Sequence, residues 1–275
     1  MSRVSEVMTP LRIAIAGSAG RMGRVLIEAV LADPALALAA ALEQPGHAAL
    51  GRDPAEGAGK TSAVRISDDV SAALGAAQVL IDFTRPQGTL HHLERCVALG
   101  RSMVIGTTGF CGADQERIAR AAERIPLVIA PNMAVGVNVV FKLAETAARA
   151  LGEGYDVEII EAHHRHKVDA PSGTALKLGE IVAAALGRDL AACAVHGRHG
   201  NTGERDSRAI GFHALRGGDI VGEHTVLFAG SGERVELTVR SASRMTYALG
   251  ALRAAMYVHG RAPGRYDMFD VLGIR

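Results

Sequence analysis

LRIAIAGSAGRMG, residues 11–23, decides how the rest of the chain is read. Leu11–Ala16 is an apolar run of strand length. It leads straight into Gly17, Gly20 and Gly23, spaced G-x-x-G-x-x-G. The next residues, Arg21–Leu31, place Met22, Val25, Leu26, Ala29 and Val30 on one face of a helix. Strand, glycine turn and helix in this order resemble the opening of a dinucleotide-binding unit. Glycine allows the tight turn and lets backbone N–H groups reach a pyrophosphate at the helix N-terminus. The loop alone is a weak signal, but Glu43 adds to it. It closes the second apolar run, about 20 residues beyond the last glycine, where a ribose-binding acid is expected. The competing reading is a structural turn with Glu43 merely solvated.

Outward from this stretch, apolar runs alternate with helical patterns. Leu36–Leu42, Val79–Phe83, Ser102–Gly106 and Pro126–Ala130 read as strands, and Thr89–Leu99 and Asp114–Arg124 as helices. Continuous apolar strands alternating with helices predict a parallel sheet covered on both faces. From Gly136 the pattern changes. A helix over Gly136–Leu151 precedes a strand at Tyr155–Ala162. A second helix covers Ser172–Leu186, with Asp169 or Ser172 as its N-cap. Strand-like Arg208–Leu215, Ile220–Phe228 and Arg234–Ser241 follow, with the turn GSGE at 230–233, and then a helix over Arg244–Val258. The expected fold class is α/β. A Rossmann-like parallel-sheet domain spans residues 1–133, with 244–275 returning to it, and an α+β domain with a mixed or antiparallel sheet spans 134–243. The glycine- and charge-rich loop 196–206 is expected to be mobile, and residues 1–10 suggest no role.

Composition narrows the classes. The chain has 275 residues, of which 48% are hydrophobic, enough for a substantial core. Its formal charge of +1 supplies no global field for nucleic acid or an anionic membrane, so neither partner is expected. Cys96, Cys111 and Cys193 are odd in number and widely spaced, which fits a reducing compartment rather than a disulfide framework. The segment MSRVSEVMTPLR has no apolar signal core, and no run of about 18 apolar residues occurs. A cytoplasmic protein is expected.

Two later loops follow strands and fall where an open parallel sheet binds ligands: DFTRP (82–86) and GTTGF (106–110). Gly106, Thr107 and Thr108 are candidates to approach a nicotinamide or substrate, and Arg85 to meet a phosphate. An ordinary loop cap is the alternative for each. APNMAVGVN (130–138) reads as a hinge.

EAHHRHKVDAPSGT, residues 161–174, concentrates acids, histidines and cations before a small-residue cluster. It can be a solvated surface, a metal site, or an acid–base centre beside an anion site. His163, His164 and His166 invite a metal, but no cysteine or further ligand follows at a usual interval, so none is expected. Ser172, Gly173 and Thr174 stand where a helix begins, a place that suits a carboxylate or phosphate. Lys167 and the histidines add positive charge and proton donors.

Taken together, EAHHRHKVDAPSGTA, GSAGRMG, DFTRP, GTTGF and APNMAVGVN, in their order along the chain, resemble the dihydrodipicolinate reductase family. GRHGNTGERD (197–206), RGGDIVGEHTVLF (216–228) and SRMTYALGA (243–251) extend the resemblance over nearly the whole chain from Leu11. The resemblance implies NADH- or NADPH-dependent reduction of a cyclic imine dicarboxylate in diaminopimelate and lysine biosynthesis. Water leaves the 4-hydroxy substrate, hydride goes to C4, and a proton is added at C3. It implies His163 as general acid, with Lys167 binding carboxylate and assisting. It places His164, Ser172, Gly173 and Thr174 on the substrate carboxylates. Gly17, Arg21, Met22, Glu43, Gly106, Thr107, Thr108, Ala130 and Asn132 fall at its cofactor-loop positions, and a homotetramer is implied.

One departure concerns the cofactor. A carboxylate at Glu43 accepts hydrogen bonds from ribose hydroxyls but repels a 2′-phosphate. Some family members carry arginine next, where this chain has Gln44. The sequence leans toward NADH or dual use, with Arg21 or Arg85 partly compensating. Two rivals stand beside this reading. A semialdehyde dehydrogenase needs a nucleophilic cysteine, and Cys111 is the candidate by position, with no base beside it. A non-catalytic nucleotide-sensing module predicts an eroded catalytic block, whereas His163, Lys167 and the Ser-Gly-Thr cluster are all present.

Overall fold

The structure, a computed structural model, describes residues 9–275; the role of residues 1–8 lies outside the described residues. The chain divides into two compact units. The first holds the chain up to Ala134 together with Met245–Gly273, and the second holds Val135–Arg244 with Ile274–Arg275.

The first unit begins β1 (Leu11–Ala16), α1 (Arg21–Ala32), β2 (Leu36–Leu42), β3 (Ile66–Ser67), α2 (Val70–Ala76) and β4 (Val79–Asp82). It continues α3 (Pro86–Leu99), β5 (Ser102–Ile105), α4 (Gly112–Ala122) and β6 (Pro126–Ile129). The second unit comprises α5 (Val135–Leu151), β7 (Asp156–His163), α6 (Gly173–Ala185), α7 (Leu190–Cys193), β8 (Ala194–His196), β9 (Ile210–Arg216), β10 (Gly222–Ala229) and β11 (Arg234–Ser241). Then α8 (Met245–Val258), β12 (Gly264–Tyr266) and α9 (Met268–Leu272) return to the first unit.

The first sheet has seven strands in the order β12-β6-β5-β4-β1-β2-β3, and every pairing is parallel. The chain winds outward from β1 to β3, then returns to β4 and winds the other way. That reversal opens a crevice beyond the carboxyl ends of β1 and β4. Alternation along the strands builds two cores. Ile13 and Ile15 pack with Leu26 and Ile27 of α1 and with Ala251 and Leu252 of α8. Ala14 and Ala16 face the other way, toward Leu90 and Leu93 of α3 and Ile118 of α4. Gly250 lets α8 pass the strand-six loop closely: a Cβ there would lie 1.7 Å from the Met133 carbonyl oxygen.

Helix α3 begins at Pro86, not Thr89, because proline suits the first helical turn, where its missing N–H costs nothing. Helix α4 starts two residues early at Gly112, capped by Cys111 with Asp114 reaching back. The short β3, β12 and α9 and the alanine-rich α2 escaped the periodicity reading.

The second sheet has five strands in the order β11-β10-β7-β9-β8. It is mixed: β10 runs antiparallel to β7 and β11, while β9 runs parallel to β7 and β8. The GSGE turn joins β10 to β11, with Gly230 N–H donating to the Glu233 carbonyl. Loop 196–206 is tied to the sheet through Glu158. Arg198 and Arg205 both donate to Glu158, and His213 lies 2.7 Å from the same carboxylate. Burial pushes this carboxyl up, but Arg198, His213 and Arg205 outweigh it and bring its pKa to about 2. Among the described residues no helix is long and apolar enough to cross a membrane.

Candidate functional site

The glycine loop leaves β1 at its carboxyl end. Gly17 adopts φ 67°, a left-handed conformation that favours glycine, and its carbonyl accepts the Gly20 N–H at 3.0 Å. Gly23 packs under this turn: a Cβ there would lie 2.1 Å from the Gly17 oxygen. Glu43 turns back onto the loop. Its Oε1 accepts the Ala19 N–H at 2.9 Å, which sets the acid of β2 beside the glycines. Ser18 Oγ is buried with no hydrogen-bond partner, and Ser18 lines a cavity of about 160 Å³ with Ala19, Arg24 and Arg52. A pinched glycine turn, an orphaned hydroxyl and an adjacent acid fit a dinucleotide.

Asp82, fully buried at the end of β4, ties the neighbouring loops together. It accepts from Thr84 N–H and Oγ1 at 2.8 and 2.7 Å and from Thr89 Oγ1 at 3.1 Å, and it lies 2.7 Å from His92 Nδ1. Thr107 is drawn in too, its hydroxyl 2.8 Å from that of Thr89. Its side chain therefore faces the Asp82 network, leaving the backbone of Gly106–Thr108 as the part available to a ligand. Thr108, Arg85, Arg21 and Gln44 are exposed, while Met22 packs against the core. Ala130 is buried with its N–H on the Ile105 carbonyl, and Asn132 Oδ1 accepts the Ala134 N–H. Cys111 is exposed and serves as the α4 cap; all three cysteines are free.

The second unit carries the charged stretch. Along β7 the buried residues alternate: Val157 and Ile159, then Glu161 and His163 on the same face. An apolar face thus ends in two ionisable groups. The register supplies their neighbours, because Arg216 of β9 stands opposite His163 and His224 of β10 stands opposite Glu161. Glu161, 1% exposed, receives Arg216 through both oxygens at 2.8 Å and the Ser172 N–H at 3.1 Å. Its Oε2 lies 2.6 Å from His163 Nδ1. Burial raises the Glu161 pKa, but Arg216, His163 and the Ser172 N–H hold it below the ordinary value. His163 moves down as well: burial lowers it, Glu161 partly restores it, and the Lys167 and Arg216 charges lower it further.

Ser172, rather than Asp169, caps α6. Its Oγ accepts the Ala175 N–H at 3.2 Å and lies 3.0 Å from His224 Nε2. Burial and the charge of His163 bring His224 down to about 4, so it is neutral at pH 7. Gly173 is exposed and Thr174 half-buried on the first turn. Lys167 Nζ pairs with Asp169 at 2.8 and 2.9 Å. Asp169, which the sequence offered as a helix cap, instead holds the lysine through its carboxylate and receives Arg216 through its carbonyl at 2.7 Å. His164 is half-buried, and its Nδ1 has no hydrogen-bond partner. His166 and Arg165 are exposed. Among the described residues no group of three or more His, Cys, Asp or Glu side chains could hold a metal.

Sequence reasoning missed Glu161, Arg216 and His224 as members of this cluster. Strand alternation could have paired Glu161 with His163. Arg216 and His224 needed the inter-strand register.

Doubly wound sheet, glycine loop and ribose-position acid define a dinucleotide-binding α/β protein, here with an acid–base cluster on a second sheet. Comparison with known proteins takes this further. The family description "Dihydrodipicolinate reductase, N-terminus" matches residues 11–133, and "Dihydrodipicolinate reductase, C-terminus" matches 136–272. The 4-hydroxy-tetrahydrodipicolinate reductase of Aromatoleum aromaticum is 61% identical over 274 residues, covering 100% of this chain and 99% of that protein. The protein of the same name from Thiobacillus denitrificans is 63% identical over 265 residues, covering 96% and 99%. A solved dipicolinate-bound dihydrodipicolinate reductase from Paenisporosarcina sp. TG-14 superimposes with a TM-score of 0.75 at 25% identity, covering 95% of this chain and 99% of that one. The chain belongs to the dihydrodipicolinate reductase family.

Proposed function

We propose that the protein reduces 4-hydroxy-tetrahydrodipicolinate to tetrahydrodipicolinate, with loss of water, using NADH or NADPH. The observation that carries this is the buried His163–Glu161–Arg216 cluster, set beside the Ser172-capped start of α6 in a chain similar to such reductases over its whole length. The nicotinamide, when bound, supplies the hydride to C4. Gly17, Gly20, Arg21, Gly23 and Glu43 would hold its dinucleotide, with the Gly106–Thr108 backbone, Ala130 and Asn132 nearer the nicotinamide.

The residues of the second unit bind the substrate and handle its proton. His163 Nε2 makes no hydrogen bond to the described residues and gives the proton to C3. Lys167 binds a carboxylate, exchanging Asp169 for it; an ion pair so exposed is worth about 0–1 kcal/mol and yields readily. The unpartnered Nδ1 of His164 and the first turn of α6, Gly173 and Thr174, receive carboxylate oxygens. Ser172 shapes this cradle as its cap. The semialdehyde dehydrogenase alternative needs a base beside a nucleophilic cysteine, and among the described residues no base is hydrogen-bonded to the exposed Cys111 thiol. A cytoplasmic homotetramer acting in diaminopimelate and lysine biosynthesis completes the reading.

Purified protein given freshly generated 4-hydroxy-tetrahydrodipicolinate is expected to oxidise NADH, followed at the nicotinamide absorbance. No turnover with either NADH or NADPH would end this reading.

A further inference from the structure

We propose that Glu161, clamped by Arg216, is a positioning residue that fixes the tautomer of His163, so that Nδ1 keeps its proton and Nε2 alone exchanges one with substrate. The inference deepens the proposed reductase reading and rests on it for its kinetic consequences.

Donor and acceptor roles around Glu161 decide the tautomer. Glu161 Oε1 receives Arg216 Nη2 at 2.8 Å and the Ser172 N–H at 3.1 Å, and Oε2 receives Arg216 Nη1 at 2.8 Å. Guanidinium and backbone N–H groups can only donate. The one position left for a carboxyl proton is on Oε2, facing Nδ1, and a carboxyl group bridged by a guanidinium is a far stronger acid than an imidazolium, so the proton sits on the ring and Glu161 accepts it as a carboxylate. The hydrogen at the 2.6 Å contact then belongs to Nδ1 of the imidazole. Neutral His163 carries no proton on Nε2. It acts as an acid only as imidazolium, and after donation it returns to the one tautomer that Glu161 permits.

Geometry makes the arrangement rigid. Glu161 and His163 are two residues apart on β7, Arg216 is opposite His163 on β9, and His224 is opposite Glu161 on β10. The His163 and His224 rings meet edge to face at 5.1 Å and 75°. The groups facing His163 are therefore Glu161 on its own strand, Lys167 in the loop after it, Arg216 on β9, His224 on β10 and the Ser172 cap of α6. Glu161 is the acid among them. It offsets the two cations, and its loss would leave the imidazolium beside Lys167 and Arg216 with no carboxylate in contact.

Two-bond 15N–1H NMR of histidine-labelled protein, without substrate, tests this directly; the His163 resonances are identified by their absence from His163→Gln. The expected spectrum of neutral His163 has a protonated Nδ1 and a bare Nε2. A protonated Nε2 with bare Nδ1 would overturn the proposal, whatever the substrate turns out to be. In turnover, kcat/KM falls as pH rises through the His163 pKa, because the reaction needs the imidazolium. Glu161→Gln should shift that fall to lower pH and lower kcat by about 10²-fold, at the lower end expected for general acid catalysis, with NADH affinity unchanged. Glu161→Asp keeps the charge and should recover part of the loss. Wild-type kcat and pH profile in Glu161→Gln would also overturn it. Should Glu161→Gln not fold, the wild-type tautomer still decides.

Discussion

On the proposed function, two regions of this molecule handle anions by opposite means. The glycine loop of the first unit is built from backbone: close packing of Gly23 under Gly17 and one acid folded back on Ala19. The cluster of the second unit works through side chains brought together by three adjacent strands. A backbone site grips any phosphate at a helix start but has no group that titrates near pH 7. A side-chain site can bind and also move a proton. The proposed function thus gives holding to one unit and proton chemistry to the other, and substitutions can break or sharpen that division.

The largest expected effect is at His163. His163→Gln should lower kcat by roughly 10²–10⁴-fold while leaving the NADH dissociation constant nearly unchanged. Gly23→Ala attacks the other region. With a Cβ 2.1 Å from the Gly17 oxygen, the loop must shift, costing about 1–3 kcal/mol of overpacking. NADH affinity, read by fluorescence titration, should fall steeply, and tight binding in this variant would show that the turn does not hold the cofactor. Lys167→Met should raise the substrate KM and lower kcat with no effect on NADH. An unchanged KM would remove Lys167 from the carboxylate site. The smallest effect is at Gln44, exposed beside Glu43. Gln44→Arg should favour NADPH over NADH by several-fold, since one exposed charge contact is worth about 1 kcal/mol or less. An unchanged ratio of dissociation constants would place cofactor choice elsewhere.

The same contrast explains how much could be read without the structure. The loop was readable because its parts are neighbours in sequence: strand, glycines and helix follow one another, and the structure returns β1 at Leu11–Ala16 as expected. Strand β11 at Arg234–Ser241 was equally direct, because its alternation is local. The side-chain cluster was only half readable. His163 and Lys167 stand in one charged stretch, but Arg216 reaches Glu161 across 55 residues and His224 meets Ser172 across 52. Those pairings depend on register between strands, which no local pattern encodes. Thr107 shows what loop position does not tell: which part of the residue is free. Its loop position marked it as a ligand contact, but its hydroxyl is spent on Thr89 and the buried Asp82. The ties of loop 196–206 to Glu158 were hidden for the same reason, since Arg198 and Arg205 lie 40 and 47 residues from it along the chain.

The most direct test sets wild type beside His163→Gln, measuring single-turnover NADH oxidation with 4-hydroxy-tetrahydrodipicolinate and NADH binding on the same preparations. Wild type should turn over, and the variant should bind NADH equally well while its hydride-transfer rate drops by at least about 10²-fold. Equal rates in the two proteins would contradict the account, because proton delivery would then not run through the cluster on the second sheet.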